Sequence, residues 1–475
     1  MAEFCGPRRP GRWAWRSIPY AVGILNLLLF HVVFRIERGT FFGGDSGQYM
    51  AIAEALRSGA LWNTAENGKP LGYPLILALA GSLPGDTVVN ALLFNWLFYL
   101  TTILAIGHIG RLLTGSSMVG WSAQTLFAVI PNTAAWANLV YSDTMAMGLF
   151  VSSFWVFLRI IHVPAEALVR WNLMGLGLLL GLLGITRTEY LVLLPLVTLL
   201  LCGLHLSRGV FIRRAVNSAL LLWLCSLPLL LLQPTVSGWR GLASLLPPNQ
   251  SGPLQLWAGR FDLDFSQLRI WKLIDLVHLT SHRPSMLDIA DVQRQLDALK
   301  YTQRGEDPID DQVLRLAVHD LQILHTLVTA RGLAPLDAYR ILAWQTLTQN
   351  PWRFVARAIR RFALYVTAAE REWSPAHPAY WVYTTLLRPL STLGYLFWVM
   401  LVMVNRGAAR WKMAATGLWM AFPILVHSWF MFEQRWAYPS VPLLCTVWAM
   451  AGQTLWGWYV HRTADTRSVV LVCGR

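Results

Sequence analysis

The sequence predicts an all-α polytopic membrane protein: a bundle of about ten to twelve transmembrane helices with one external, mostly helical domain. Three observations predict it. Hydrophobic residues make up 55% of the 475 and charged residues only 13%, about half the charge of an ordinary soluble domain. The apolar residues gather in repeated runs of membrane-spanning length, and helices satisfy their own backbone groups in lipid. The basic residues, 39 Lys and Arg against 25 Asp and Glu, sit mostly in short clusters beside those runs, as cytoplasmic loops do. A nucleic-acid binder would gather its bases on one soluble face, so the surplus does not indicate nucleic acid.

Taken in order, Arg8, Arg9, Arg12 and Arg16 place the N-terminal tail in the cytoplasm. Residues 18–34 form the first span, which lacks a small-residue cleavage site and reads as an anchor. Residues 35–71 are an external loop. Within it, Ser46 to Ser58 has apolar residues at 49, 52, 53 and 56, one face of a short helix stopped by Gly59. Residues 72–83 are apolar but too short to span, and read as a re-entrant or interfacial piece. Spans follow at 87–110, 118–136, 144–161, 171–185, 190–206 and 215–232, with external turns at 138–143 and 186–189.

The composition then changes. Residues 233–350 are charged, with acids and bases nearly balanced, and 310–327 carries apolar residues at 3–4 spacing. This reads as an external helical domain. Trp352 to Val366 is an amphipathic basic helix suited to an interface or to an extra span. Spans at 380–404, 413–429 and 437–459 close the chain, separated by Arg406, Arg410 and Lys412 inside and a turn at 432–436 outside. The organisation is therefore 1–232 as a transmembrane catalytic module, 233–350 as the external domain and 351–475 as the C-terminal part, with both termini cytoplasmic. The five cysteines show no metal-ligand spacing and no disulfide framework.

In this topology Asp45, Glu54, Asp143, Arg187, Glu189, Glu433 and Arg435 collect on the external side. Charges at membrane depth are costly, so they face a cavity or one another. For Asp45 the plain reading is a helix cap, because Gln48 three residues on completes a capping box. Asp143 also opens a helix. Arg187 with Glu189, and Glu433 with Arg435, can pair within their turns, or the arginines can hold a phosphate bidentately. Lys69 is a further candidate for that role. Asp45 and Asp143 could together share magnesium or manganese, although nothing in the spacing assigns a metal. Histidines 108, 162, 205, 278, 282, 319 and 325 form no ligand-like set.

Several short motifs occur in a suggestive order. They are Gly44-Asp45-Ser46-Gly47-Gln48-Tyr49, Gly72-Tyr73-Pro74-Leu75, Tyr141-Ser142-Asp143, Thr186-Arg187-Thr188-Glu189 and Arg435-Trp436-Ala437-Tyr438-Pro439. Across 18–232 and 350–460 the chain resembles the GT-C glycosyltransferases, which include protein O-mannosyltransferases and lipid A aminoarabinose transferases. That resemblance implies inverting transfer of a sugar from a polyprenyl-phosphate-linked donor to an acceptor on the external side, in a bacterial inner membrane rather than the endoplasmic reticulum. It implies catalytic roles for Asp45 and Asp143, and substrate-binding roles for Tyr49, Lys69, Arg187, Glu189, Arg435 and Tyr438. The aspartate is followed by Ser46 rather than a second acid, so the resemblance implies no certain metal. The donor sugar and the acceptor (lipid, glycan or protein) stay open.

Competing readings are a lipid or sugar transporter, a non-catalytic scaffold, and a polysaccharide ligase or polymerase. A transporter places charges near mid-membrane, whereas these lie at one edge. A ligase would use a late external loop, where Arg283, His278 and His282 fall.

Overall fold

The computed structural model describes residues 12–37, 39–42, 45–60, 69–162, 166–207, 212–237, 251–261, 272–276, 289–300, 310–367, 388–405, 407–428 and 438–472. Among these residues there is no strand, and the chain is an all-α polytopic membrane protein. It divides into two compact units. Unit 1 comprises Met1–Pro247, Trp381–Phe422 and Ala437–Arg475; unit 2 comprises Pro248–Tyr380 and Pro423–Trp436.

Unit 1 begins with α1 (Arg12–Glu37), α2 (Ser46–Ser58), α3 (Gly72–Ser82), α4 (Thr87–Thr114), α5 (Ser117–Ala128) and α6 (Pro131–Ala137). It continues with α7 (Asp143–His162), α8 (Glu166–Thr186), a 3-10 turn at Thr188–Val192, α9 (Leu193–Ser207) and α10 (Ile212–Ser237). The expected end of α2 holds: Gly59 has φ 73° and its N–H returns to the Ala55 carbonyl, a left-handed cap that favours glycine. The short apolar piece after the first loop is α3, with 11 residues.

Six helices among the described residues are long and apolar enough to cross a membrane: 15–36, 87–114, 143–162, 169–186, 188–206 and 212–232. They correspond to six of the expected spans. The other four differ. The expected span at 118–136 is two pieces, because Pro131 opens α6 with Ile130 in an extended conformation, and proline cannot donate to a continuing helix. Three C-terminal helices replace the last spans, numbered here after the five of unit 2: α16 (Arg388–Val404), α17 (Gly407–His427) and α18 (Val441–Val472). α16 has 17 residues. Tryptophans, Arg410, Lys412 and Gln453 lower the hydropathy of α17 and α18, and α18 continues past the expected end at 459. The remaining expected spans fall on these shorter or more polar helices, so six spans meet the length and apolarity requirement among the described residues.

α7 is the centre of the bundle. Its apolar window is 78% buried, against 22% for α1 and for α10. It packs on α4 and α8, while α8 packs on α10 and α4 on α5. The outward faces of α1 and α10 remain apolar, with Leu25, Leu29, Leu220 and Leu224 exposed, as lipid-facing helices require. Ser226 Oγ donates to the Gly177 carbonyl (2.9 Å), joining α10 to α8.

Unit 2 holds α11 (Ser251–Ala258), α12 (Ile289–Lys300), α13 (Asp311–Thr329), α14 (Pro335–Gln349) and α15 (Pro351–Val366). The amphipathic helix seen in the sequence is α15, and it clusters here rather than with the C-terminal helices. Phe354, Ala358, Arg361 and Tyr365 form its buried face. Arg361 is fully buried; its guanidinium donates to the Ser428 carbonyl (2.9 Å) and to the Gly259 carbonyl. Asp320, also buried, accepts from Trp257 Nε1 (2.8 Å) and Arg260 (2.7 Å).

Candidate active site

The site is built on a buried polar knot in the segment between α6 and α7. Asn95, fully buried on α4, donates its amide to the Leu139 carbonyl (2.7 Å) and to Tyr73 Oη (3.1 Å). Trp96 Nε1 donates to Asn138 Oδ1, and Asn138 donates to the Leu27 carbonyl. The Val140 N–H then bonds the Phe41 carbonyl, and Ser46 Oγ donates to the Val140 carbonyl (2.8 Å). These bonds fix the first loop and the start of α2 against the start of α7. A buried polar network of this kind rigidifies because each broken bond would leave a desolvated group.

On that base Asp45 meets Lys69. Asp45 Oδ1 lies 3.0 Å from Lys69 Nζ, with the two side chains 32% and 22% exposed. The Asp45 N–H donates to Tyr141 Oη (3.0 Å). The capping role expected for Asp45 does not hold, since its side chain makes no capping bond. The physical reason is its backbone: φ −92°, ψ −10° is helical, whereas an N-cap side chain reaches back from an extended residue. The carboxylate is left to pair across the loop.

Asp143 is held from the other side. Arg187 Nη1 lies 2.5 Å from Asp143 Oδ1, and Arg187 Nε lies 2.6 Å from Glu189 Oε1. One guanidinium therefore bridges two carboxylates. Burial works against the charge of Arg187, but Glu189 and then Asp143 outweigh it and hold the group firmly protonated. Tyr49 joins the two halves: its hydroxyl bonds Ser142 Oγ (3.2 Å), its ring meets Tyr73 edge-on, and Lys69 Nζ lies 5.9 Å from its centre. Burial, reinforced by the Asp45 charge, pushes the Tyr49 phenol above its ordinary range, so it stays neutral at working pH.

Gly72 sets the approach of the Lys69 segment. A Cβ there would fall 2.8 Å from both Cα and N of Thr186, so only glycine lets the start of α3 lie on the end of α8. Lys69 and Arg187 are each within three residues of that contact.

The structure thus brings together Asp45, Tyr49, Lys69, Asp143, Arg187 and Glu189. Tyr438 is buried in unit 1, its ring 5.7 Å from that of Trp136, which lies 5.7 Å from the ring of Tyr141 in turn. Glu54 is not part of the cluster; it pairs with Arg57 on the exposed side of α2. Glu433 and Arg435 lie outside the described residues, as do Arg283, His278 and His282. Among the described residues no three His, Cys, Asp or Glu group as metal ligands. Asn95, Tyr73, Tyr141 and Ser142 are site residues that the charge-based reading overlooks. An asparagine well inside an apolar span is the signal that could have found Asn95.

Three carboxylates against two cationic side chains leave the cluster anionic and partly desolvated, a setting in which an ionised carboxylate can accept a proton. No protein-family model matches the chain, and no curated protein matches it by sequence. Among solved structures, the apo Archaeoglobus fulgidus oligosaccharyltransferase superposes with a TM-score of 0.50 at 12% identity, over 95% of this chain and 52% of that one. The chain shares its fold with an archaeal oligosaccharyltransferase. It spans about half the length of that protein. The same enzyme in complex with Zn and sulfate matches at TM-score 0.49 and 12% identity, over 95% of this chain and 51% of that one. ArnT from Cupriavidus metallidurans, bound to undecaprenyl phosphate, matches at 0.38 and 14%, over 92% and 78%. The likeness to the oligosaccharyltransferase is one of fold.

Proposed function

We propose that the protein is an integral-membrane glycosyltransferase that moves a sugar from a polyprenyl-phosphate-linked donor to an acceptor on the external side of a bacterial inner membrane. The observation that carries this reading is the Asp45–Lys69 pair. A partly exposed carboxylate with an opposed ammonium sits at the edge of an otherwise apolar bundle, on a fold shared with an oligosaccharyltransferase.

Asp45 accepts the proton of the acceptor hydroxyl as that oxygen attacks the anomeric carbon. The bond from that carbon to the phosphate oxygen breaks, and the lipid phosphate departs with the electron pair, inverting the anomeric centre. Lys69 leaves Asp45 for the incoming phosphate, which frees the base and meets the charge growing on the leaving group. Arg187, already shared between Asp143 and Glu189, orders those carboxylates rather than acting as a spare cation. Arg435 is the second phosphate contact implied by the motif resemblance. Grooves between the apolar helices hold the isoprenoid chain.

Purified protein incubated with a panel of polyprenyl-phosphate sugars tests this reading through release of free polyprenyl phosphate. Turnover with any donor, by transfer or hydrolysis, supports it. No release with every donor, together with donor movement across a vesicle membrane, favours the transporter reading instead.

A further inference from the structure

Helix α15 has two apolar faces, and unit 2 buries one of them. Phe354, Ala358, Arg361 and Tyr365 make up the buried face. Trp352, Ala356, Ile359 and Ala363 repeat the 3–4 spacing on the opposite side of the helix. All four are exposed, Trp352 by 81% and Ile359 by 65%. Arg353 and Arg360, also exposed, border this stripe along one edge, and no acid occurs in the helix. A single residue separates α14 from α15, and α14 adds a second exposed tryptophan, Trp344, at 67%.

The outer face of a water-exposed helix is ordinarily polar. Here it is apolar with a cationic edge, and neither Trp352 nor Ile359 contributes to the core of unit 2. With 16 residues and four arginines, α15 is too short and too charged to cross a bilayer. The pattern suits a helix lying in the bilayer surface: an apolar stripe for the acyl boundary, arginines for lipid phosphates, and a tryptophan, which favours the interface. The six membrane-crossing helices of the same chain keep a bilayer at hand. A cationic edge without any acid complements anionic lipid.

We propose that the outward face of α15 lies in the surface of an anionic bilayer, with the helix axis along the membrane plane. Trp352 and Ile359 enter the acyl boundary, about 5–10 Å deep. The small Ala356 and Ala363 let the backbone settle close to the lipid, while Arg353 and Arg360 extend their stems to the phosphates. The inference involves no residue of the candidate active site and is read without a sugar donor, so its outcome is independent of the sugar-transfer reading.

The test is fluorescence quenching of the full chain in nanodiscs, with a genetically encoded fluorescent amino acid replacing Ile359. Discs of phosphatidylcholine and phosphatidylglycerol are made with plain or with acyl-brominated lipid. Bromine quenches at short range, so emission at 359 should be mostly lost in the brominated discs. The same fluorophore in place of Gln322, exposed on α13, should keep its emission. In discs of phosphatidylcholine alone the quenching at 359 should weaken. Arg353→Gln with Arg360→Gln should weaken it to that level in the mixed discs. Melting curves confirm that each variant is folded. Equal quenching at 322 and 359, or full emission at 359 in brominated discs, overturns the proposal; in the latter case, particles of two chains by mass photometry assign the face to a second copy. Quenching at 359 that neither phosphatidylglycerol nor the double variant alters overturns the role given to the arginines.

Discussion

Lys69 Nζ lies 3.0 Å from Asp45 Oδ1, so the carboxylate proposed as the base is held in check by the cation proposed to meet the phosphate. A half-exposed pair of this kind contributes only about 0–1 kcal/mol to stability. Lys69→Gln should therefore leave the melting temperature nearly unchanged while lowering turnover about a hundredfold, the scale of losing one group that stabilises developing charge. Thermal melting and donor turnover measured on the same preparation check this. A large stability loss with normal turnover would assign Lys69 a structural role instead.

Arg187 bridges Asp143 and Glu189 within a site where all three side chains are at most 20% exposed. Arg187→Met strands two carboxylates and should destabilise the protein by about 3–5 kcal/mol. Adding Asp143→Asn and Glu189→Gln to that variant should recover most of the loss. Melting of the single and triple variants in one detergent separates the cost of stranded charge from lost packing.

Gly72→Ala places a methyl 2.8 Å from the Thr186 backbone. The start of α3 must move away from α8, at about 1–3 kcal/mol. Because Lys69 and Arg187 flank this contact, turnover should fall along with stability. A variant that melts and turns over like the parent would show that the approach is not what positions them.

Asp320 gives unit 2 a pH dependence. Burial lifts its carboxyl above the ordinary 3.8, with the Arg260 charge and the hydrogen bonds from Trp257 and Arg260 pulling the other way. The folded chain then keeps this proton at a pH where the unfolded chain has released it. Stability contributed by Asp320 is present at and below 3.8 and declines as pH rises through the window just above it. Asp320→Asn should flatten that slope, as read from melting temperature against pH.

Much of the fold is legible in the sequence because its signals are local. Apolar runs, the Gly59 stop and the shortness of 72–82 depend only on neighbouring residues, and each corresponds to a helix or its end. The break at Pro131 is obscured because hydropathy averages over a window that Ile130 and Val129 keep apolar. The partners of the charged residues are less legible. Asp45 and Gln48 satisfy a capping pattern, yet the backbone at Asp45 is helical and the carboxylate turns to Lys69, 24 residues later. The grouping of Asp143, Arg187 and Glu189 follows from how α7 and α8 pack, and it converts Arg187 from a phosphate ligand into an organiser of carboxylates. Asn95 carries the segment beneath the site, and its polarity within an apolar helix that also holds Asn90, Thr101 and Thr102 marks it only weakly.

The measurement that bears most directly on the whole account is turnover of the Asp45→Asn variant. Asparagine keeps the size of the side chain and the backbone N–H bond to Tyr141, but it cannot accept the proton. Purified and folded in the same detergent as the parent, the variant should bind a polyprenyl-phosphate sugar and release no free polyprenyl phosphate above background. Near-parental release by a folded Asp45→Asn protein would contradict the account.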